Sequence, residues 1–263
     1  MQLTSAHTKF LAFICMAFSL LIVSCTLALA DGPQVLIDTK FDSTNATGGL
    51  GTSPEPSTIA DLPLKTPTQV SAHSPSTIVG GKDSMGEVSP PYALLTAAAS
   101  VENPDVVAST EILWRLNKLH LTSGQYEITY KVTQLVEETK RGDCLRIYLV
   151  KEDGNSPGGP GTHPVSQFLG LMFQNGQLQT NTSGLRGIAV GDTQHIRITL
   201  DLDNQLWSVY ANDTPIAEKL PFTSTLKGGG LHIGYINFGS DGGLGDHSGG
   251  ACALSDLKMV RLK

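Results

Sequence analysis

Residues 195–217 read HIRITLDLDNQLWSVYANDTPIA, and the alternation of apolar and polar side chains in this stretch decides the fold. Ile196, Ile198, Leu200 and Leu202 alternate with His195, Arg197, Thr199 and Asp201. A period of two puts one face of an extended chain in a core and the other in water. Asp203-Asn204 supplies turn chemistry, because both side chains tolerate left-handed backbone and bond to nearby main chain. A second alternating run sets Trp207 and Val209 against Ser208 and Tyr210, and Asn212-Asp213 reverses the chain again into Thr214–Ala217. The segment is an antiparallel meander, with both Trp207 and the earlier Trp114 on the core phase of their strands.

The same rhythm extends outward. Glu111–Lys118 places Ile112, Trp114 and Leu116 on one face, and Ser123-Gly124 turns the chain into Gln125–Val136 with Tyr126, Ile128, Tyr130 and Val132 inward. Cys144–Val150 alternates likewise, and Gln167–Phe173 with Gln177–Thr180 form a hairpin across Asn175-Gly176. Val35–Phe41, Gly230–Phe238 and Ala253–Leu262 complete the strands. Ser43–Thr58 has no apolar period and reads as a long loop. The apolar pieces Ile59–Leu64 and Thr77–Val79 are cut by prolines, which confine them to loops and edges. Tyr92–Ser100 is ambiguous, because its alanines favour helix while the flanking prolines favour strand. Many short strands, with turns at roughly 8–12-residue spacing, predict an all-β, two-sheet antiparallel jelly-roll sandwich.

The 263-residue chain contains 28 Gly and 14 Pro and carries a formal charge of −6. An acidic surface without a basic block argues against nucleic acid as a partner. Lys9, the apolar run Phe10–Val23 and the small residues Ala28-Leu29-Ala30 form a targeting segment, residues 1–30, leaving 31–263 as one domain. Ile22-Val23-Ser24-Cys25 supports a competing reading, a lipoprotein signal 1–24 with Cys25 as a lipid anchor. Either way the protein is extracytoplasmic: secreted, periplasmic or anchored at the cell envelope. The mature chain has no apolar run long enough to span a bilayer. Cys144 and Cys252 remain after processing, and an oxidising compartment favours a disulfide between them; two buried thiols are the alternative.

Ser123–Thr133 (SGQYEITYKVT), the meander ending WSVYANDTPIA and the last strand ALSDLKMVRL resemble the concanavalin A-like lectin/glucanase superfamily, with laminin-G-like domains the nearest flavour. The resemblance is one of pattern and order over most of 35–263. It implies a jelly roll whose first and last strands are neighbours, and a protein that binds or cuts carbohydrate or holds proteins together.

Chemistry is harder to find. The Glu-x-Asp-x-x-Glu spacing of the laminarinase-like members does not occur, and neither does a nucleophile elbow or a His-x-x-x-His pair. Glu127, mid-strand beside Lys131, is the least unfavourable acid candidate, though a solvated or salt-bridged strand residue is the better account of it. Asp241, Asp246 and His247 lie in the glycine-rich loop Gly239–Gly250, whose oxygens suit Ca2+, but the calcium-loop pattern is lacking and a plain connection is the alternative. Arg115, Arg146, Tyr148, Arg197 and Tyr210 fall on polar strand phases and could line a groove for an oligosaccharide or polysaccharide. The expectation is an exported non-catalytic sandwich binding carbohydrate or a cell-surface partner, without a required cofactor. A glycoside hydrolase or polysaccharide lyase with an atypical site, or a purely structural envelope protein, are the alternatives.

Overall fold

The computed structural model describes residues 32–42, 49–72, 77–81, 83, 89–96, 109–135, 143–151, 167–174, 177–180, 185–187, 191–222, 231–241 and 251–262. Its strands are β1 (Gln34–Thr39), β2 (Gln69–Ala72), β3 (Thr77–Gly80), β4 (Ala93–Thr96), β5 (Ser109–Arg115), β6 (Gln125–Gln134), β7 (Asp143–Lys151) and β8 (Gln167–Gln174). They continue as β9 (Gln177–Thr180), β10 (Leu185–Gly187), β11 (Thr193–Asp201), β12 (Leu206–Ala211), β13 (Thr214–Pro221), β14 (Leu231–Asp241) and β15 (Ala251–Arg261). Two antiparallel sheets result. One has the order β13-β12-β11-β6-β15-β4-β3, with β1 also paired to β15; the other has the order β10-β9-β8-β7-β14-β5-β2. This is the expected two-sheet sandwich, and no described helix is long and apolar enough to cross a membrane.

The meander is built as its sequence requires. Ile196, Ile198 and Leu200 of β11 stand opposite Tyr130, Ile128 and Tyr126 of β6, all buried, while His195, Arg197 and Thr199 face Lys131, Thr129 and Glu127 on the wet side. A one-residue slip would exchange these two sets, so burial of one face locks the register. Asn212 and Asp213 both take left-handed backbone in the tight turn between β12 and β13. In the β11–β12 turn, however, Gln205 and not Asp203 or Asn204 adopts the positive φ. Asp201 explains the shift. Its carboxylate accepts the Asn204 backbone N–H at 2.9 Å and the Asn204 amide at 2.8 Å, which holds the preceding turn right-handed.

Strands β1 and β4 lie end to end along one edge of β15, β4 against Ala251–Leu254 and β1 against Leu257–Arg261. Asp256, at φ 54°, marks the irregularity between them. First and last strands are therefore neighbours. The proline-flanked pieces β2 and β3 lie at sheet edges, and the alanine-rich stretch after Tyr92 forms a strand because β15 and β3 both pair with it. The segment Ile59–Asp61 is a 3-10 turn closed by its own Asp61, not an extended piece. The short strand β10 carried no sequence signal.

One contiguous apolar cluster fills the space between the sheets. Trp114 and Trp207 are 0% and 1% exposed. Tyr130 of one sheet meets Phe238 of the other edge to face, centroids 5.9 Å apart. The Trp114 indole N–H donates to Thr39 Oγ1 at 3.0 Å and ties β5 to β1 across the sandwich.

Candidate functional site

The outward phase of the seven-stranded sheet departs from the usual solvated surface. Strand β7 sends Leu145, Ile147 and Leu149 inward and Arg146 and Tyr148 outward; β5 sends Ile112 and Trp114 inward and Glu111, Leu113 and Arg115 outward. Strand β14 lies between them. Its register shifts between Ile233 and Tyr235, so Ile233 and Ile236 both reach the core while Tyr235 and Asn237 take the outer phase. A β-bulge re-aims side chains in this way. Gly234 permits it, because a Cβ there would collide with the Val150 side chain.

The register then assembles a patch. Asn237 stands between Leu113 and Arg146, and Tyr235 between Arg115 and Tyr148. Tyr148 and Tyr235 stack with centroids 4.2 Å apart and an interplanar angle of 23°; with Leu113 they form an apolar cluster separate from the core. Gln69 and Ser71 of β2 flank the patch, and the Arg115 guanidinium donates to Gln69 Oε1 at 2.9 Å. The Glu111 carboxylate accepts the Asn237 side-chain amide N–H, with the Ser71 hydroxyl at 3.5 Å from its second oxygen.

These groups are withdrawn from water although they lie on the far side of the sheet from the core. Asn237 is 3% exposed, and Tyr148 and Tyr235 are each 7% exposed. Burial pushes the Glu111 carboxyl above its usual range, against the opposing pull of the Asn237 hydrogen bond, the Arg146 charge, the Ser71 hydroxyl and the Arg115 charge. Burial, together with Tyr148 and Glu111, pushes the Tyr235 phenol up, while Arg115 and Arg146 act the other way. The Asn237 carbonyl oxygen has no hydrogen-bond partner among the described residues. A buried acceptor left in that state is disfavoured by about 1–3 kcal/mol. The patch thus gathers two guanidiniums, a buried acceptor without a partner among the described residues, and two phenols.

Of the five polar-phase residues read from sequence, Arg115, Arg146 and Tyr148 meet here. Arg197 and Tyr210 lie opposite each other on the outer face of the other sheet, the guanidinium 3.8 Å from the ring centroid, with Tyr210 also donating to Glu218 at 2.9 Å. Glu127 lies on that second face too, across from Thr199 and Val260; its expected neighbour Lys131 pairs with Asp256 at 3.4 Å. Sequence reasoning missed Glu111, Tyr235 and Asn237. Their available signal was a polar residue placed between core residues in STEILWR and in YINFG.

The Asp241 side chain, Asp246 and His247 lie outside the described residues, as does the Cys144 side chain. The Cys144 backbone pairs with Gly239 and Met172 in the seven-stranded sheet, whereas Cys252 is buried in the other, and no disulfide is found among the described residues. A recess beside Pro54, Glu55, Asp61 and Lys65 is a weaker candidate. Its polar groups serve local structure: Glu55 accepts the Lys118 N–H, Asp61 caps its own turn and Lys65 pairs with Asp38 at 2.6 Å.

No protein-family model matches the chain, and no curated protein does. Among solved structures the chain is similar to an endo-β-1,4-glucuronan lyase from the fungus Trichoderma reesei, with a TM-score of 0.54 and 9% identity over 73% of this chain and 90% of that one. The cellulose-induced protein Cip1 gives a TM-score of 0.45 at 10% identity, over 73% and 91%. The alginate lyase Aly36B gives 0.43 at 14%, over 71% and 88%. At these identities the likeness is one of fold.

Proposed function

We propose that this protein is an exported sandwich of the concanavalin A-like type that binds an acidic oligosaccharide or polysaccharide through the outer face of its seven-stranded sheet. One observation carries the reading: Arg115 and Arg146 surround a buried amide and a stacked tyrosine pair, with Glu111 the acidic side chain among them. Guanidinium forks match planar carboxylates, and partial burial strengthens such contacts. The tyrosines stack on each other and are each 7% exposed, so they leave little open ring area for a sugar, and recognition rests on polar groups. The similar glucuronan lyase is named for its action on glucuronan, which supports a saccharide as the ligand class. Isothermal titration with matched acidic and neutral oligosaccharides tests the reading. Binding confined to the acidic series supports it; binding confined to neutral sugars, or to none, refutes it.

A second reading is favoured by the phenols beside Arg146. β-Elimination at a uronate needs the carboxylate neutralised and a base for the carbon-bound proton; the electron pair then forms a double bond as the glycosidic C–O bond breaks, and the leaving oxygen takes a proton. Arg146 and Asn237 are groups that neutralise a carboxylate, the Tyr235 phenol, held protonated by burial, suits donation to the leaving oxygen, and Tyr148 is the candidate base. Appearance of ultraviolet-absorbing unsaturated product, lost in Tyr148→Phe or Tyr235→Phe, would establish it. Hydrolysis by paired carboxylates has less support, because Glu111 has no second carboxyl beside it among the described residues.

A further inference from the structure

We propose that Glu111 and Asn237 form a proton-linked latch on this face, closed to anions while Glu111 is ionised and presenting the Asn237 amide N–H groups to a ligand carboxylate once Glu111 is protonated. The proposal rests on the acidic-saccharide reading above and adds its regulation.

The arrangement observed is unbalanced. Asn237 donates to Glu111, and its own carbonyl oxygen is left buried without a partner among the described residues. The Glu111 carboxylate also occupies the field of Arg146 and Arg115, the two cations an incoming anion would use. Protonation changes both conditions. The carbonyl and amino ends of an amide are nearly equal in size, so a half-turn of the Asn237 side chain lets its oxygen accept the new Glu111 O–H. The amino group then takes the buried place of the orphaned oxygen, at the register position opposite Arg146, and lacks an acceptor until a ligand carboxylate enters the patch. At the same step one negative charge leaves the patch, so Glu111 no longer opposes the positive field of Arg146 and Arg115.

The groups that act on Glu111 come from every strand packed against it. Strand β2 contributes the Ser71 hydroxyl, β5 contributes Arg115, β7 contributes Arg146 and β14 contributes Asn237 and Tyr235. Burial raises the Glu111 carboxyl, so it biases the pair in the same direction as an incoming ligand anion does. Binding of the anion and uptake of the proton are then linked, each favouring the other.

The test titrates a glucuronic acid tetrasaccharide into the full-length mature protein from about pH 5 to about pH 8, in two buffers of different ionisation enthalpy. The wild type is expected to take up about one proton per ligand bound, with affinity falling up to about tenfold per pH unit above the Glu111 midpoint. Glu111→Gln keeps the shape of the side chain, fixes the uncharged state, and is expected to bind with a flat pH profile and no proton uptake. Asn237→Ala is expected to bind weakly throughout. Wild-type binding that is flat with pH, or a Glu111→Gln profile that falls as the wild type does, overturns the latch and leaves the binding reading intact. Absence of acidic-saccharide binding by every form at every pH overturns both.

Discussion

Trp114 and Trp207 are equally buried, yet the same substitution should affect them differently. Replacing either by Phe removes part of a fully packed ring system. A loss of about 1–2 kcal/mol is expected for that alone, a fraction of the roughly 3–5 kcal/mol for truncation to Ala. At position 114 the change also removes the indole hydrogen bond to Thr39 Oγ1, and leaves Thr39, itself 0% exposed, with only a 3.5 Å contact to the Leu64 carbonyl. That adds about 1 kcal/mol, for a total near 2–3 kcal/mol. At position 207 the indole N–H has no partner among the described residues. Deleting it removes a desolvation penalty of about 1–2 kcal/mol and nearly cancels the packing loss. The two variants should therefore differ by about 2 kcal/mol, with Trp207→Phe close to wild type. Urea unfolding followed by circular dichroism measures this directly, and each variant keeps one tryptophan as an independent fluorescent probe. Equal losses at the two positions, or a larger loss at 207, would refute the assignment of the two indole environments.

Gly239→Ala should destabilise the protein by about 1–3 kcal/mol, because its Cβ would run into the Thr110 carbonyl oxygen, which is backbone and cannot swing away; chemical denaturation checks it. Glu111→Gln should gain stability relative to wild type as pH rises from acid to neutral. Burial raises the folded carboxyl, so its stabilising contribution is complete below the ordinary carboxylate range and is lost as pH climbs through the raised value. A melting-temperature difference that shrinks with pH would reverse that sign. Asp201 behaves oppositely: burial alone would raise it, but hydrogen bonds from Asn204, Gln125 and the Asp203 backbone hold it below its usual range. Asp201→Ala should thus cost about 1–2 kcal/mol at neutral pH, and the cost should fade as acid protonates the wild type through its depressed value.

Strand phase was legible in the sequence because a period of two is a local property. Ile196, Ile198 and Leu200, or Leu145, Ile147 and Leu149, declare their common face without any knowledge of their partners. The same pattern says which face a residue takes but not which sheet. That is why Arg197 and Tyr210 read as companions of Arg115, Arg146 and Tyr148 until pairing places them on the opposite surface. The site itself depends on non-sequential neighbours: β14 lies between β5 and β7, and only that insertion brings Asn237 beside Arg146. Tyr235 was further hidden by the bulge at Gly234, since strict alternation would have carried it inward with Ile233. Glu111 looked like any exposed strand acid; its burial and its contact with Asn237 are tertiary.

The proposed binding face is one of two outer faces, and arginines on each allow a direct comparison. An acidic oligosaccharide titrated into Arg146→Ala and Arg197→Ala, both confirmed folded by circular dichroism, should lose at least about tenfold in affinity for the first, of order 1.4 kcal/mol, and stay within about twofold for the second. Equal losses, or a loss confined to Arg197→Ala, would contradict the placement of the binding site on the seven-stranded sheet.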